Sequence, residues 1–115
     1  MTPRLAALPI LAIVSIAWIG GATLDAQRGT ARKPTTHTVT IDGSQFSPAQ
    51  LTVKTGDTVV WVNKDILAHT ATSTEGGFDS KVIQPGKSWK LVLKKKGNFP
   101  YTCSFHPMNG RLVVE

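Results

Sequence analysis

The chain has 115 residues, a formal charge of +6 and a single cysteine. That length holds one domain and a short leader, and one cysteine excludes an internal disulfide. The positive balance comes with no nucleic-acid-binding motif, so no nucleic-acid partner is expected.

At the N-terminus, Arg4 is followed by the apolar run LAALPILAIVSIAWI (5–19), then by Gly20, Gly21 and small residues. A basic start, an apolar stretch and a small-residue exit describe a secretory signal peptide over residues 1–26, with Ala26 the last residue removed and Ala22 a second cleavage point. The alternative is an uncleaved anchor, because Leu5 to Leu24 is just long enough to span a bilayer; membrane association is expected only in that case. Pro9 and the early glycines make a poor span, so cleavage is the expectation. Either way, the rest of the chain is expected to work outside the cytoplasm, in the periplasm.

Residues 27–36, QRGTARKPTT, are polar and basic without a hydrophobic period and read as a linker. From His37 the pattern changes. The runs HTVTI (37–41), QLTVKTGDTVVWVN (50–63), KSWKLVLKK (87–95) and RLVVE (111–115) are rich in Val, Leu, Ile, Thr and Trp. Between them stand Asp42-Gly43, Thr55-Gly56-Asp57, Pro85-Gly86 and Gly97-Asn98, which is turn chemistry. No stretch after residue 36 sustains a helical period. Short strands with frequent turns predict an all-β domain over residues 37–115, a sandwich or barrel. Trp61 and Trp89 fall within strand runs and are expected in the core. Lys94-Lys95-Lys96 is the densest charge run; it reads as a solvated turn, with steering toward an acidic partner or anionic surface as the alternative.

The segment GNFPYTC (97–103) alternates Phe99, Tyr101 and Cys103 onto one face of a further predicted strand. Pro107 and Asn109-Gly110 then turn the chain before RLVVE. Cys103 therefore ends a strand, and His106 and Met108 lie on the loop that follows. A short loop can turn all three inward, and His69, in LAHTATS, is the evident source of a second imidazole. Two imidazoles, a thiolate and a weak thioether form the ligand set of a blue-copper electron-transfer centre. Thiolate and thioether suit Cu(I), while imidazole serves both oxidation states. Zinc accepts Cys and His but takes Met poorly.

Taken alone, Cys-x-x-His is a weak signal. A lone cysteine is often a small buried hydrophobe, and Met108 can be loop packing. A cysteine nucleophile with His106 as base lacks an evident orienting group or oxyanion donor. His37 is read as an exposed polar residue at a strand start.

The segment from His37 to Glu115 resembles the cupredoxins, specifically the small plastocyanin-, amicyanin- and pseudoazurin-like group. FSPAQLTVKTGDTVVWVN, a histidine after KDILA, GGFDSKVIQPGKSWKLVL, YTCSFHP and GRLVVE occur in the family's order. The resemblance implies a Greek-key β-sandwich with one type 1 copper ion at one end. It implies one-electron transfer between redox proteins in the periplasm, with a c-type cytochrome or a periplasmic oxidoreductase as partner, and no enzymatic activity. A monomer is expected. Carried over residue by residue, His69, Cys103 and His106 are the equatorial ligands and Met108 the axial one.

Two departures stand out. Amicyanin-like loops resemble Cys-x-x-His-Pro-x-Met, whereas Met108 follows Pro107 directly. Alignment on GRLVVE leaves Met108 axial; alignment on His106 puts Asn109 there. Family members also often have Asn after the first ligand histidine, tying the two ligand loops together; Thr70 stands in its place, so that bond is differently made. Electrons are expected to pass through the outer edge of His106, with Phe105, Pro107 and Met108 as an apolar docking patch. The rival reading is a copper carrier or storage protein without redox shuttling.

Overall fold

The computed structural model describes residues 32–115. The expected signal peptide, and the linker up to residue 31, lie outside the described residues. The described chain has no helix and eight strands: β1 (Thr36–Asp42), β2 (Gln45–Ser47), β3 (Gln50–Val53), β4 (Thr58–Asn63), β5 (Thr72–Ser73), β6 (Ser88–Val92), β7 (Gly97–Thr102) and β8 (Asn109–Val114). They form two four-stranded sheets, ordered β2-β1-β4-β6 and β3-β8-β7-β5. β1 runs parallel to β4 and β3 parallel to β8. Pairing of strands distant in sequence, with the chain crossing between sheets, makes this the expected Greek-key sandwich.

The run 50–63 divides at its turn into β3, in one sheet, and β4, in the other. Gly56 takes a φ of 93° there, and the Asp57 N–H donates to the Lys54 carbonyl at 3.0 Å. Two more turns obey their sequences. Gly43 and Ser44, with φ of 59° and 56°, make the two-residue hairpin between Asp42 and Gln45, as a type I′ turn requires. Pro85 and Gly86 occupy the centre of a type II turn, with φ of 81° at Gly86 and the Lys87 N–H donating to the Gln84 carbonyl. The strands β2 and β5 were not expected from the sequence. At three and two residues they carry no period, and their places are set by pairing with β1 and β7.

Alternation in β4 turns Val59, Trp61 and Asn63 inward. Trp61 is fully buried between the sheets. It lies 5.6 Å, edge-on, from the Tyr101 ring and 5.3 Å from the half-buried Trp89, so both tryptophans pack as expected. Tyr101 is buried in turn, and burial pushes its phenol up to about 12. Its ring lies on the backbone of Gly110, opposite it in β8; a Cβ there would overlap the ring.

The inward row of β4 ends on Asn63, a buried amide that needs partners. It finds them where the chain leaves the sheet: Nδ2 donates to the carbonyls of Leu67 and Ile83, both at 2.8 Å. The loop carrying His69 is thereby tied to the sheet's end.

Candidate metal centre

His69 follows β4 and forms an isolated bridge with Ile83, whose N–H donates to the His69 carbonyl at 2.7 Å. Its side chain is fully buried. Cys103 lies one residue beyond β7 and is also buried. The two loops meet here, with His69 Nδ1 3.7 Å from Cys103 Sγ. The His106 ring stands 4.9 Å from that of His69, centroid to centroid, and is half-buried. Met108 is 3 % exposed and belongs to the core cluster, while Asn109 is exposed and paired with Thr102 in the β7–β8 ladder. Thr102 Oγ1 donates to the Met108 carbonyl at 2.6 Å, closing the 103–108 loop at its base.

Cys103 Sγ accepts two backbone N–H groups, from Thr70 at 3.3 Å and Phe105 at 3.4 Å. Burial pushes the thiol's pKa up, but the N–H groups of Phe105, Thr70 and His106 outweigh it. The net position lies below the ordinary thiol value, so the sulfur is poised toward thiolate, the form that binds metal.

Thr70 does the loop-tying that an asparagine would do, through its hydroxyl. Oγ1 accepts the Ser104 N–H at 2.9 Å, donates to Ser104 Oγ at 3.2 Å and lies 2.9 Å from Thr72 Oγ1. Its backbone holds the sulfur while its side chain holds the cysteine loop.

Beyond His69 stands Asp65, which the motif reading overlooked. Its Oδ2 lies 2.8 Å from His69 Nε2 and accepts the Ser44 N–H at 2.9 Å. The His69 hydrogen bond, followed by the backbone bonds, holds the Asp65 carboxyl down at about 2. An ionised carboxylate only accepts, so Nε2 carries the ring proton and the Nδ1 lone pair is turned toward the sulfur. A carboxylate four residues before a candidate ligand histidine was the available signal.

Among the described residues, no three His, Cys, Asp or Glu side chains are already closed around a common point as a metal cage. Cys103 and the His106 ring each lie next to His69 without converging on one point, and Met108 is buried in the adjoining core cluster. Their chemistry fits copper: two imidazoles, a thiol biased toward thiolate and a buried thioether are the soft and borderline donors that serve Cu(I) and Cu(II) alike.

Beside the half-buried His106 stands the Phe105 ring, 6.4 Å away, and the loops that carry His69 and its bridge partner Ile83 expose further apolar side chains. Phe105 is 52 % exposed and Ile66 87 %, with Leu67 and Val82 also exposed. Met108, expected in an apolar patch with Phe105 and Pro107, is instead inside, because the turn into β8 points it at the core. The lysine run is not part of this surface. Val92, just before it, pairs with Thr58 at the start of β4, so Lys94 to Lys96 leave the sheet at the end opposite His69. His37 differs from its reading too: it is half-buried and lies 2.9 Å from the buried Asp57 carboxylate.

A family model described as a cupredoxin-like domain matches residues 9–114. Amicyanin of Paracoccus denitrificans is 29 % identical over 83 residues, covering 67 % of this chain and 63 % of that protein. The aligned stretch thus spans under two thirds of that relative's length, as it does for amicyanin of Paracoccus versutus. The purple cupredoxin of Nitrosopumilus maritimus superposes with a TM-score of 0.63 at 28 % identity, over 69 % of this chain and 99 % of that one. The Cu-containing nitrite reductase of Thermus scotoductus gives 0.67 at 28 % identity, over 74 % of this chain and 23 % of the enzyme.

Proposed function

The chain belongs to the cupredoxin-like family, and from that premise we propose that it is a type 1 copper protein carrying single electrons between redox proteins. His69, Cys103 and His106 would hold the metal equatorially and Met108 axially. When bound, copper supplies the one-electron change between Cu(II) and Cu(I). The observation that carries the reading is the meeting of His69 Nδ1 and Cys103 Sγ at 3.7 Å, inside a core that buries both.

The chain's own residues make this site suited to electron rather than metal transfer. The N–H groups of Thr70 and Phe105 spread the negative charge of the sulfur. Asn63 and Thr70 brace the two loops, so little has to move when charge changes. Burial of Met108 against the exposure of Asn109 favours the thioether as the axial donor. His106 is the half-buried member of the set and is the port for electrons. Phe105 and Pro107, its neighbours in the loop, are exposed and form the surface for brief complexes with a c-type cytochrome or a periplasmic oxidoreductase. The basic, apolar start of the chain supports export to the periplasm, and the chain acts as a monomer without catalysis of its own.

A carrier that hands over its metal needs donors a partner can reach. Here three of the four are buried, which favours the shuttle. The test is to add Cu(II) to the purified protein, record the visible spectrum and titrate with reductant. An intense blue or purple band that bleaches and returns reversibly is expected. Copper uptake without such a band would turn the reading toward a carrier or store.

A further inference from the structure

Asp65 does more than occupy a loop. Its backbone N–H donates to Asn63 Oδ1 at 2.9 Å, so its position is set by the same buried amide that ties the loop to β4. Its carboxylate is fixed from both sides. Oδ1 accepts the Ile66 N–H at 2.7 Å, and Oδ2 accepts the Ser44 N–H of the β1–β2 turn at 2.9 Å. The remaining direction on Oδ2 meets His69 Nε2 at 2.8 Å. The side chain is 10 % exposed and that of His69 fully buried, so water competes little for this bond. His69 is thus held at three points: by its backbone bridge to Ile83, by Asp65 at Nε2, and by packing in the core.

We propose that Asp65 is the positioning residue of this centre: its carboxylate holds the His69 ring by Nε2 so that Nδ1 faces Cys103, and its charge makes His69 a stronger donor that favours the more highly charged metal state. Two physical reasons support this. A ring anchored only by its backbone can rotate about its outer torsion, and a hydrogen bond at the distal nitrogen removes that freedom. A full negative charge one imidazole away from the metal also draws electron density toward Nδ1, which stabilises Cu(II) more than Cu(I). The orientation half stands on the geometry alone; the tuning half rests on the copper reading above.

The two halves are tested by separate readouts. Nitrogen chemical shifts of the metal-free protein read the His69 tautomer, and a single Nε2–H form is expected. In Asp65→Ala that signal should broaden or split between tautomers. A wild-type ring protonated on Nδ1, or an Asp65→Ala spectrum identical to wild type, overturns the orientation. For the copper-loaded protein, Asp65→Asn removes the charge and keeps an acceptor oxygen. The preference for Cu(II) over Cu(I) should fall about tenfold, a rise in potential of about 59 mV for one electron. Asp57→Asn, which neutralises the other His–Asp pair at the far end, should leave the potential in place. An unchanged or lowered potential in Asp65→Asn with the visible band intact overturns the tuning while the copper reading stands. Absence of any band in the wild type overturns the copper reading and the tuning with it, and leaves the tautomer result to decide the orientation.

Discussion

Two His–Asp pairs stand at opposite ends of the sandwich and are put together in opposite ways. At the end reached by β4, His69 is buried and Asp65 lies outside it, 2.8 Å away. At the end where β1 and β4 begin, Asp57 is the buried member, with His37 outside it at 2.9 Å. Asp57 spends its remaining acceptor capacity on backbone, taking the N–H groups of Thr35 and Lys54, which clamps the start of β1 to the turn between the sheets. His69 spends its second nitrogen on the cysteine. The same pairing therefore builds a structural clamp when the carboxylate faces the backbone, and a donor with a fixed orientation when the imidazole faces a thiol.

The two ends therefore separate function from stability. The largest expected effect is on colour: Cys103→Ala should abolish the charge-transfer band, because the thiolate is its source, and visible spectroscopy of the copper-loaded variant checks this. Next is Asp57→Ala, which strands two backbone N–H groups. It should cost about 3 kcal/mol in urea unfolding while leaving the spectrum of the folded protein unaltered.

Between the two ends, the single tyrosine reports on the core. Its phenol should titrate at about 12 rather than at the ordinary 10.0, as followed by phenolate absorbance. Burial favours the neutral form, so the stability it lends is complete below the unfolded value and is lost as pH rises from 10 toward 12. A midpoint near 10 in the folded protein would mean that the core opens around Trp61.

The smallest effects are on rates. Pro107→Glu beside His106 should slow electron transfer to a redox partner without bleaching the protein, as stopped-flow would show; an unchanged rate counts against this port. Lys95→Glu, at the clamp end, should change that rate by no more than about twofold at physiological salt, where charges are screened over about 8 Å.

Much of this was legible in the residues. Alternation in HTVTI, TVVWVN and RLVVE marked central strands because one face of each must be buried. Asp42-Gly43 and Pro85-Gly86 marked turns because few residues take those backbone angles. What escaped was short or long-range. β2 and β5 are too short to show a period. The burial of Met108 depends on where the β7–β8 ladder closes, at Thr102 and Asn109, and no spacing rule states that. The distance of the lysine run from His69 follows from the antiparallel register of β6 on β4. Asp65 was four residues from a named histidine, but only the turn at Ser44 and the amide of Asn63 make it a partner rather than a surface carboxylate.

In the proposed centre, His69, Cys103, His106 and Met108 surround one metal. X-ray absorption at the copper edge, recorded on the Cu(II) and Cu(I) forms of the purified protein, tests it most directly. Two imidazole nitrogens and one short sulfur bond are expected in both forms, with little change between them. A shell of nitrogen and oxygen alone, or one rebuilt on reduction, would contradict it.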